Sequence, residues 1–410
     1  MKTGWRFGNL LGIPFYIDYS WVPIAGLMTF FYSVNLAAAY PGLSPLAAVG
    51  GGVAMAVGLF GSVLAHELAH SVVAQSQGIR VNSITLFIFG GMASLDRDAR
   101  QAWGAFWVAV AGPALSLSLA ALLLLLSLMV NNTPLRDGLG YLASVNGVIG
   151  LFNLMPGLPL DGGQILRAIV WGMTGDPQKG TRWAARSGQW LGYGFAGLGG
   201  YLILIRGSLS GLWLILMGIF ILNNARNYMQ YSQLQTALLT LKAKEVMTRQ
   251  FRVVDANMSV REFVDRYLIL AEKTEVYFAE ADGRYRGLVH SERLRTLDRG
   301  EWEHQPLLRL VESLADVPSV PEEASLLEVV YCLVKHNLPR LVVLTATGSV
   351  AGLIDKGDIV GGLGRFLGVT LPEEVLQRIR ERNEFPPGFQ LEALAERLYQ
   401  EKSLEKPVAV

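Results

Sequence analysis

Apolar residues are distributed unevenly along this chain of 410 residues. Residues 1–240 contain long apolar runs, whereas residues 241–410 have the mixed pattern of an ordinary water-soluble protein. A helix needs about 20 mostly apolar residues to cross the hydrocarbon core of a bilayer. The apolar runs therefore predict six membrane-spanning helices, near residues 20–40, 48–76, 103–130, 139–173, 187–205 and 209–225.

Two segments of the membrane part depart from the pattern of continuous helices. The fourth predicted span contains Pro156, Gly157 and Pro159, and broken helices at membrane depth are tolerated where they line a polar site. Residues 81–95 are rich in β-forming side chains and have glycines at a bend, which predicts a small β-hairpin. The expected fold is a polytopic α-helical membrane protein with a small β-hairpin or sheet, followed by a soluble α/β domain.

Composition agrees with this division. Charged residues make up 17% of the chain, whereas soluble domains carry about 25%. The formal net charge of +1 gives no indication of nucleic-acid binding. A single cysteine, Cys332, excludes a disulfide within the chain.

Positively charged residues predict the orientation in the membrane. When the loops are assigned alternately to the two sides of the membrane, one side receives only two positively charged residues, Arg136 and Arg206. The favoured side receives Lys2, Arg6, Arg80, Arg97, Arg100, Arg167, Lys179, Arg182, Arg186, Arg226, Lys242 and Lys244. Because cytoplasmic loops carry the excess of Lys and Arg, we expect a multi-pass protein of the cell membrane with both termini and the soluble domain in the cytoplasm.

The second predicted span ends in the motif His66-Glu67-Leu68-Ala69-His70. Residues four apart on a helix point in the same direction, so the two imidazoles can hold one Zn²⁺. Glu67 lies beside them, where it can accept a proton from water at the metal. The alternative is a helix end with two solvated histidines, but ionisable residues in an apolar span are costly and mark functional sites.

A third metal ligand is expected, because catalytic zinc sites commonly have three protein ligands and one open position. The other histidines, His290, His304 and His336, lie in the soluble part. Asp161 is the acidic residue inside the interrupted fourth span and is therefore the candidate. Its alternative role is to cap the helix that follows, and the two roles are compatible.

These motifs resemble those of the site-2 protease family of intramembrane metalloproteases, peptidase family M50. The resemblance rests on the His66–His70 motif, on the segment from Asn153 through Pro156 and Pro159 to Gly163, and on Ala111-Gly112-Pro113. It covers roughly residues 1–230. It implies that His66, His70 and Asp161 bind one Zn²⁺ per chain, that Glu67 is the catalytic base, and that Asn153 helps to hold the substrate or transition state.

The resemblance also implies a function. The expected activity is that of a zinc metalloendopeptidase that hydrolyses peptide bonds in transmembrane segments of membrane-bound regulatory proteins. The expected partners are the lipid bilayer and a single-span substrate, such as an anti-sigma factor or another membrane-tethered regulator. The hairpin is then either a free strand edge that pairs with an unwound substrate or a structural element of the cytoplasmic rim.

A non-proteolytic zinc-binding membrane chaperone or transporter is the alternative. Glu67 argues against it, because a structural or transport site has no need of a base beside its ligands.

The soluble part contains an internal repeat. Residues 254–263 match residues 320–329, and Gly287-Leu288-Val289 matches Gly352-Leu353-Ile354. Each half predicts the order strand, helix, strand, strand, helix. The repeat resembles a CBS-domain pair, a regulatory module. We expect a membrane-embedded zinc protease domain at 1–230, a helical linker at 231–243, the CBS pair at 244–370 and a helical tail at 371–410.

The CBS resemblance leaves the ligand of this module open. CBS pairs often bind adenine nucleotides, through a hydroxyl residue and a later aspartate. Here the second repeat keeps Asp358 but has Asp355 at the hydroxyl position, which would repel phosphate, and the first repeat has His290 and Arg293. The alternative to a nucleotide is a sensing or dimerisation module that forms a homodimer.

Overall fold

The computed structural model describes residues 4–87, 90–269, 276–386 and 391–405. The chain divides into two compact units, Met1–Ser232 and Gln233–Val410.

The first unit contains a four-stranded sheet in the order β1-β2-β3-β4. Its strands are β1 (Trp5–Leu10), β2 (Ile13–Ile17), β3 (Val81–Phe87) and β4 (Gly90–Leu95). β3 and β4 are antiparallel, which confirms the predicted hairpin, and β2 runs parallel to β3. β4 forms one edge of this sheet, and the two N-terminal strands were not expected from the sequence.

In the described residues up to Thr240, seven helices accompany the sheet. They are α1 (Trp21–Ala39), α2 (Pro45–Ser76), α3 (Ala102–Met129), α4 (Thr133–Asn153), α5 (Asp161–Thr174), α6 (Pro177–Arg206) and α7 (Ser210–Thr240). In the part of the chain that the structure describes, three helices, α1, α2 and α3, are long and apolar enough to cross a membrane. Large apolar side chains on them, such as Phe30 and Leu125, are exposed, as expected of surfaces that face lipid.

The predicted break between α4 and α5 is present. α4 ends at Asn153 and α5 begins at Asp161, and the intervening residues are irregular, with a cis peptide between Leu158 and Pro159. The Leu158 side chain is fully buried, and its backbone N–H donates to the carbonyl of Ala184 in α6. The break is therefore a packed element that fixes where α5 starts.

The second unit contains two small sheets that follow the internal repeat. The first, in the order β5-β6-β7-β8, consists of Arg252–Asp255, Tyr277–Ala281, Arg284–Val289 and Val311–Ser313. The second, in the order β11-β10-β9, consists of β9 (Ser319–Pro321), β10 (Arg340–Leu344) and β11 (Val350–Asp355). The first and second strands of each repeat are parallel, and the next pair is antiparallel.

The helices of the second unit are short. They are α8 (Ala243–Val246), α9 (Val260–Phe263), α10 (Leu326–Lys335), α11 (Lys356–Phe366), α12 (Glu373–Arg382) and α13 (Leu391–Glu405). The first repeat ends in a short 3-10 helix, Ser291–Thr296, where an α-helix was expected. The two helix starts differ, because Asp355 caps α11 with its side chain, whereas His290 at the matching position makes no side-chain cap.

The hydrophobic core around the second repeat also contains residues from the end of α7 and from α13. Ala237 and Leu238, from the end of α7, are fully buried in it. Leu394 and Leu398 of α13 are buried in the same cluster. Tyr399 stacks on Tyr331 of α10, with ring centroids 3.6 Å apart.

Candidate metal centre

Three potential ligand atoms meet between α2 and α5. The Nε2 atoms of His66 and His70 lie 3.2 Å apart. The Oδ2 atom of Asp161 lies 3.0 Å from Nε2 of His66 and 3.4 Å from Nε2 of His70. In the described part of the chain these residues form a group that could hold a metal ion, with ligand atoms within 4.8 Å of one another.

Each ligand is placed by local structure. His66 and His70 are one helical turn apart on α2, so both rings leave the same face. Asp161 is the first residue of α5, and the N-cap position belongs to Leu160, which makes no side-chain cap. The alternative role of Asp161 as the cap of this helix is therefore not seen, and its carboxylate is turned toward the two imidazoles.

The geometry of the group fits zinc. Zinc–nitrogen bonds of about 2.0–2.1 Å place the ligand atoms of a tetrahedral site about 3.3 Å apart. The three distances of 3.0, 3.2 and 3.4 Å match this value. Two neutral imidazoles and one carboxylate are also a ligand set that zinc accepts in catalytic sites.

Helix α3 closes one side of the group. A β-carbon at Gly112 would lie 2.2 Å from Nε2 of His70 and 2.6 Å from Nε2 of His66. The helix also meets the far side of both rings, because Nδ1 of His70 lies 2.6 Å from the carbonyl oxygen of Val108 and Nδ1 of His66 lies 2.9 Å from Oγ of Ser116. The backbone of α3 thus reaches the ligand atoms only because residue 112 has no side chain.

Glu67 lies between the candidate metal ligands and the sheet. It is partly buried, and a β-carbon at Gly91 would lie 2.4 Å from its Cγ atom. Gly91 belongs to the edge strand β4, so the sheet edge comes into direct contact with the candidate base.

The predicted site residues differ in their contacts with one another. His66, His70 and Asp161 come together as expected. Asn153 is the last residue of α4 and is partly exposed, and its side chain makes no hydrogen bond to any described residue. Sequence reasoning did not identify Val108 or Ser116, or the contact of Gly91 with Glu67. α3 also carries Ser118 and Ser127, so a serine in this apolar helix is not by itself a signal that identifies Ser116.

A separate cluster of charges lies in the second unit. The Arg380 guanidinium of α12 contacts Asp358 Oδ1 at 3.2 Å, Asp355 Oδ2 at 3.4 Å and Glu373 Oε1 at 2.6 Å. Burial, with the nearby negative charge of Asp355, raises the pKa of Asp358 to about 6. The two aspartates considered for a nucleotide are therefore already paired with an arginine. In the first repeat, His290 instead pairs with Glu312.

Comparison with known proteins agrees with this architecture. The model for Peptidase family M50 matches residues 54–142 and 134–192, and the model for the CBS domain matches residues 311–365. The predicted zinc metalloprotease sll0528 of Synechocystis sp. is 37% identical over 370 residues, which cover 88% of this chain and 95% of the relative. Zinc metalloprotease MJ0392 of Methanocaldococcus jannaschii is 30% identical over 307 residues, with coverages of 74% and 82%.

A solved structure, the site-2 protease from Methanocaldococcus jannaschii, is also similar. It is 28% identical with a TM-score of 0.38, and the match covers 55% of this chain and 95% of the solved one. The resemblance inferred from the sequence motifs is confirmed by the extent of the match to sll0528. The chain belongs to peptidase family M50, the zinc metalloproteases of the site-2 type that act on membrane-bound substrates, and it carries a CBS domain in its second unit.

Proposed function

We propose that His66, His70 and Asp161 hold the catalytic zinc of this intramembrane protease and that Glu67 is its general base. The observation that carries the proposal is the meeting of the three ligand atoms within 4.8 Å. When bound, zinc polarises a peptide carbonyl and makes water a stronger nucleophile near neutral pH. Glu67 accepts a proton from the attacking water and returns it to the leaving nitrogen.

The non-proteolytic alternative, a zinc-binding chaperone or transporter, explains less. Glu67 is partly buried beside the ligand group and in contact with β4. A carboxylate in an apolar membrane protein is costly unless it has a role there, and holding or moving zinc gives it none.

We propose that β4 receives the substrate. β4 is an edge strand of its sheet and touches Glu67 at Gly91. A peptide segment that unwinds can add to such an edge through backbone hydrogen bonds, which places its peptide groups beside the base. The face of the hairpin that carries Gly91 also carries Ile84, which packs in the core with Ala74, so a structural role at the rim is compatible with this one. Asn153, at the break before Asp161, is the proposed polar contact for the substrate or transition state.

The proposed topology has six spans. Its fourth span consists of α4 and α5 with the break between them, and its fifth starts late in α6, because Lys179, Arg182 and Arg186 occupy the first turns of that helix. The lysine and arginine bias of the loops then places both termini and the CBS module on the cytoplasmic side of the cell membrane. The proposed domains remain 1–230, 231–243, 244–370 and 371–410.

The proposed substrate is a single-span regulator of the anti-sigma-factor type. We propose that the CBS module regulates access or forms a homodimer, and that it binds adenine nucleotides weakly or not at all. Arg380 already forms ion pairs with Asp355 and Asp358, so a bound phosphate would compete with these aspartates for the guanidinium.

The test of the site is the Glu67→Gln variant. An amide keeps the size of the side chain but cannot accept the proton, so we expect about one zinc per chain and no cleavage of a transmembrane substrate in detergent. The wild-type enzyme should cleave, and a chelator should stop it. Normal cleavage by Glu67→Gln would exclude the proposed base, and zinc loss in this variant would assign Glu67 to the ligands instead.

A further inference from the structure

The two histidines of the proposed zinc site are held by α3 in chemically different ways. Nδ1 of His70 lies 2.6 Å from the carbonyl oxygen of Val108. A carbonyl oxygen only accepts hydrogen bonds, so Nδ1 of His70 carries the proton. The lone pair of that ring is therefore on Nε2, the atom that faces Asp161 and His66. The backbone of α3 thus fixes the tautomer that a metal ligand requires.

The Nδ1 atom of His66 faces a hydroxyl group, whereas the Nδ1 atom of His70 faces a carbonyl group. Its Nδ1 atom lies 2.9 Å from Oγ of Ser116, and the two residues are 5% and 1% exposed. A hydroxyl can donate or accept. If it donated to Nδ1, Nε2 would carry the proton and could not bind a metal. Ligation by Nε2 therefore requires that Ser116 accepts from Nδ1–H.

Ser116 differs from other serines in these helices. Ser62, Ser71 and Ser118 each donate to a backbone carbonyl of their own helix four residues earlier, as serines in apolar helices commonly do. In the described part of the chain, Ser116 makes no such bond, and its hydroxyl lies against the imidazole of a different helix. The hydroxyl of Ser116 therefore contacts His66 instead of a backbone carbonyl of its own helix.

We infer that Ser116 is a positioning residue for zinc, which holds the ring of His66 in the orientation and tautomer that direct Nε2 to the metal. The inference rests on the proposed ligand set of His66, His70 and Asp161. Partners of this kind orient the ligand and increase its basicity, and their loss typically lowers metal affinity by about 10–100-fold. His70 has no equivalent side chain to remove, because its partner is backbone.

The experiment compares Ser116→Ala with Ser118→Ala in the full-length protein in detergent. Zinc affinity is measured by competition with a chelating dye, and thermal unfolding of the metal-free forms checks the fold. We expect zinc binding to be about 10–100-fold weaker in Ser116→Ala. It should be unchanged in Ser118→Ala, because the hydroxyl of Ser118 donates to a carbonyl of its own helix. Ser116→Thr keeps the hydroxyl and should bind zinc nearly as tightly as the wild type.

Two results would overturn the inference. One is wild-type zinc affinity in Ser116→Ala, and the other is equal weakening in Ser116→Ala and Ser116→Thr, since the hydroxyl would then not be the property that matters. His66→Ala and Asp161→Ala are measured alongside. If these retain full zinc, the ligand set itself is wrong, whereas zinc loss in both with no effect of Ser116→Ala removes only the role of Ser116.

Discussion

A β-carbon at Gly112 would lie only 2.2 Å from the Nε2 atom of His70. This distance is far shorter than any non-bonded contact between heavy atoms, and the nearby atom belongs to a ring that α3 holds from its other side at Val108. The backbone of α3 is thus part of the wall of the proposed zinc site.

Gly112→Ala should therefore displace the imidazoles and weaken zinc binding at least tenfold. The control is Gly61→Ala in α2, because a β-carbon at Gly61 meets nothing within 4 Å. Elemental analysis and dye competition measure zinc in both variants. Full zinc content with wild-type affinity in Gly112→Ala would show that the ligand atoms lie elsewhere.

Gly91→Ala should separate zinc binding from catalysis. The added methyl group would fall 2.4 Å from Cγ of Glu67, and its three nearest atoms all belong to Glu67 and not to a proposed metal ligand, so we expect normal zinc content and cleavage reduced by more than tenfold. Met92→Ala is the matched control, because successive strand residues point to opposite faces and Met92 is exposed. Equal cleavage by Gly91→Ala and the wild type would contradict the contact between β4 and the base.

The stability of the second unit should depend on pH through Asp358. Its pKa is raised from 3.8 to about 6 in the folded state, so between these values the folded form holds a proton that the unfolded form has released. The contribution of Asp358 to the free energy of unfolding is therefore complete below pH 4 and is lost as the pH rises through 6. This contribution is at most about 3 kcal/mol.

Asp355→Asn tests this dependence. The amide keeps an oxygen to cap α11 but removes the negative charge that helps to raise the pKa of Asp358. Denaturant unfolding of residues 233–405 between pH 4 and 7 should give a flatter profile for the variant than for the wild type. Parallel profiles would show that Asp355 does not perturb Asp358.

The topology can be tested by cysteine labelling. With Cys332 replaced by alanine, Gly300→Cys should resist an impermeant maleimide added to intact cells, because residue 300 is expected in the cytoplasm. Arg136→Cys, in the predicted external loop, should react. Labelling at residue 300 from outside would reverse the proposed orientation.

The sequence predicted the parts of the site that depend on local periodicity. His66 and His70 share a helix face whatever surrounds them, and Asp161 was identified because the fourth span has no other acid. Ser116 and Gly91 could not be predicted, since their contacts depend on how α3 and β4 are placed against α2. Such a placement is set by side-chain packing between elements, which hydrophobic patterning does not encode.

The fold was predictable to a similar degree. The break before Asp161 and the hairpin at β3 and β4 follow from prolines, glycines and β-forming residues. The strands β1 and β2 were missed because the segment has no long apolar run, although Ile13, Phe15 and Ile17 alternate with less buried residues. The ion pair between Arg380 and Asp358 joins positions that are distant in the sequence, so the pattern of hydrophobic and polar residues does not predict it.

The burial of α13 in the second unit has a consequence for the fate of shortened chains. The CBS family model ends at residue 365, but the hydrophobic core continues to Leu398. A polypeptide that stopped between these points would carry the whole recognisable module and still expose the surface of α10 that α13 normally covers. Proteases and chaperones recognise such apolar surfaces, so a late nonsense or frameshift mutation would remove the enzyme from the cell by degradation although the residues of the proposed zinc site are unchanged.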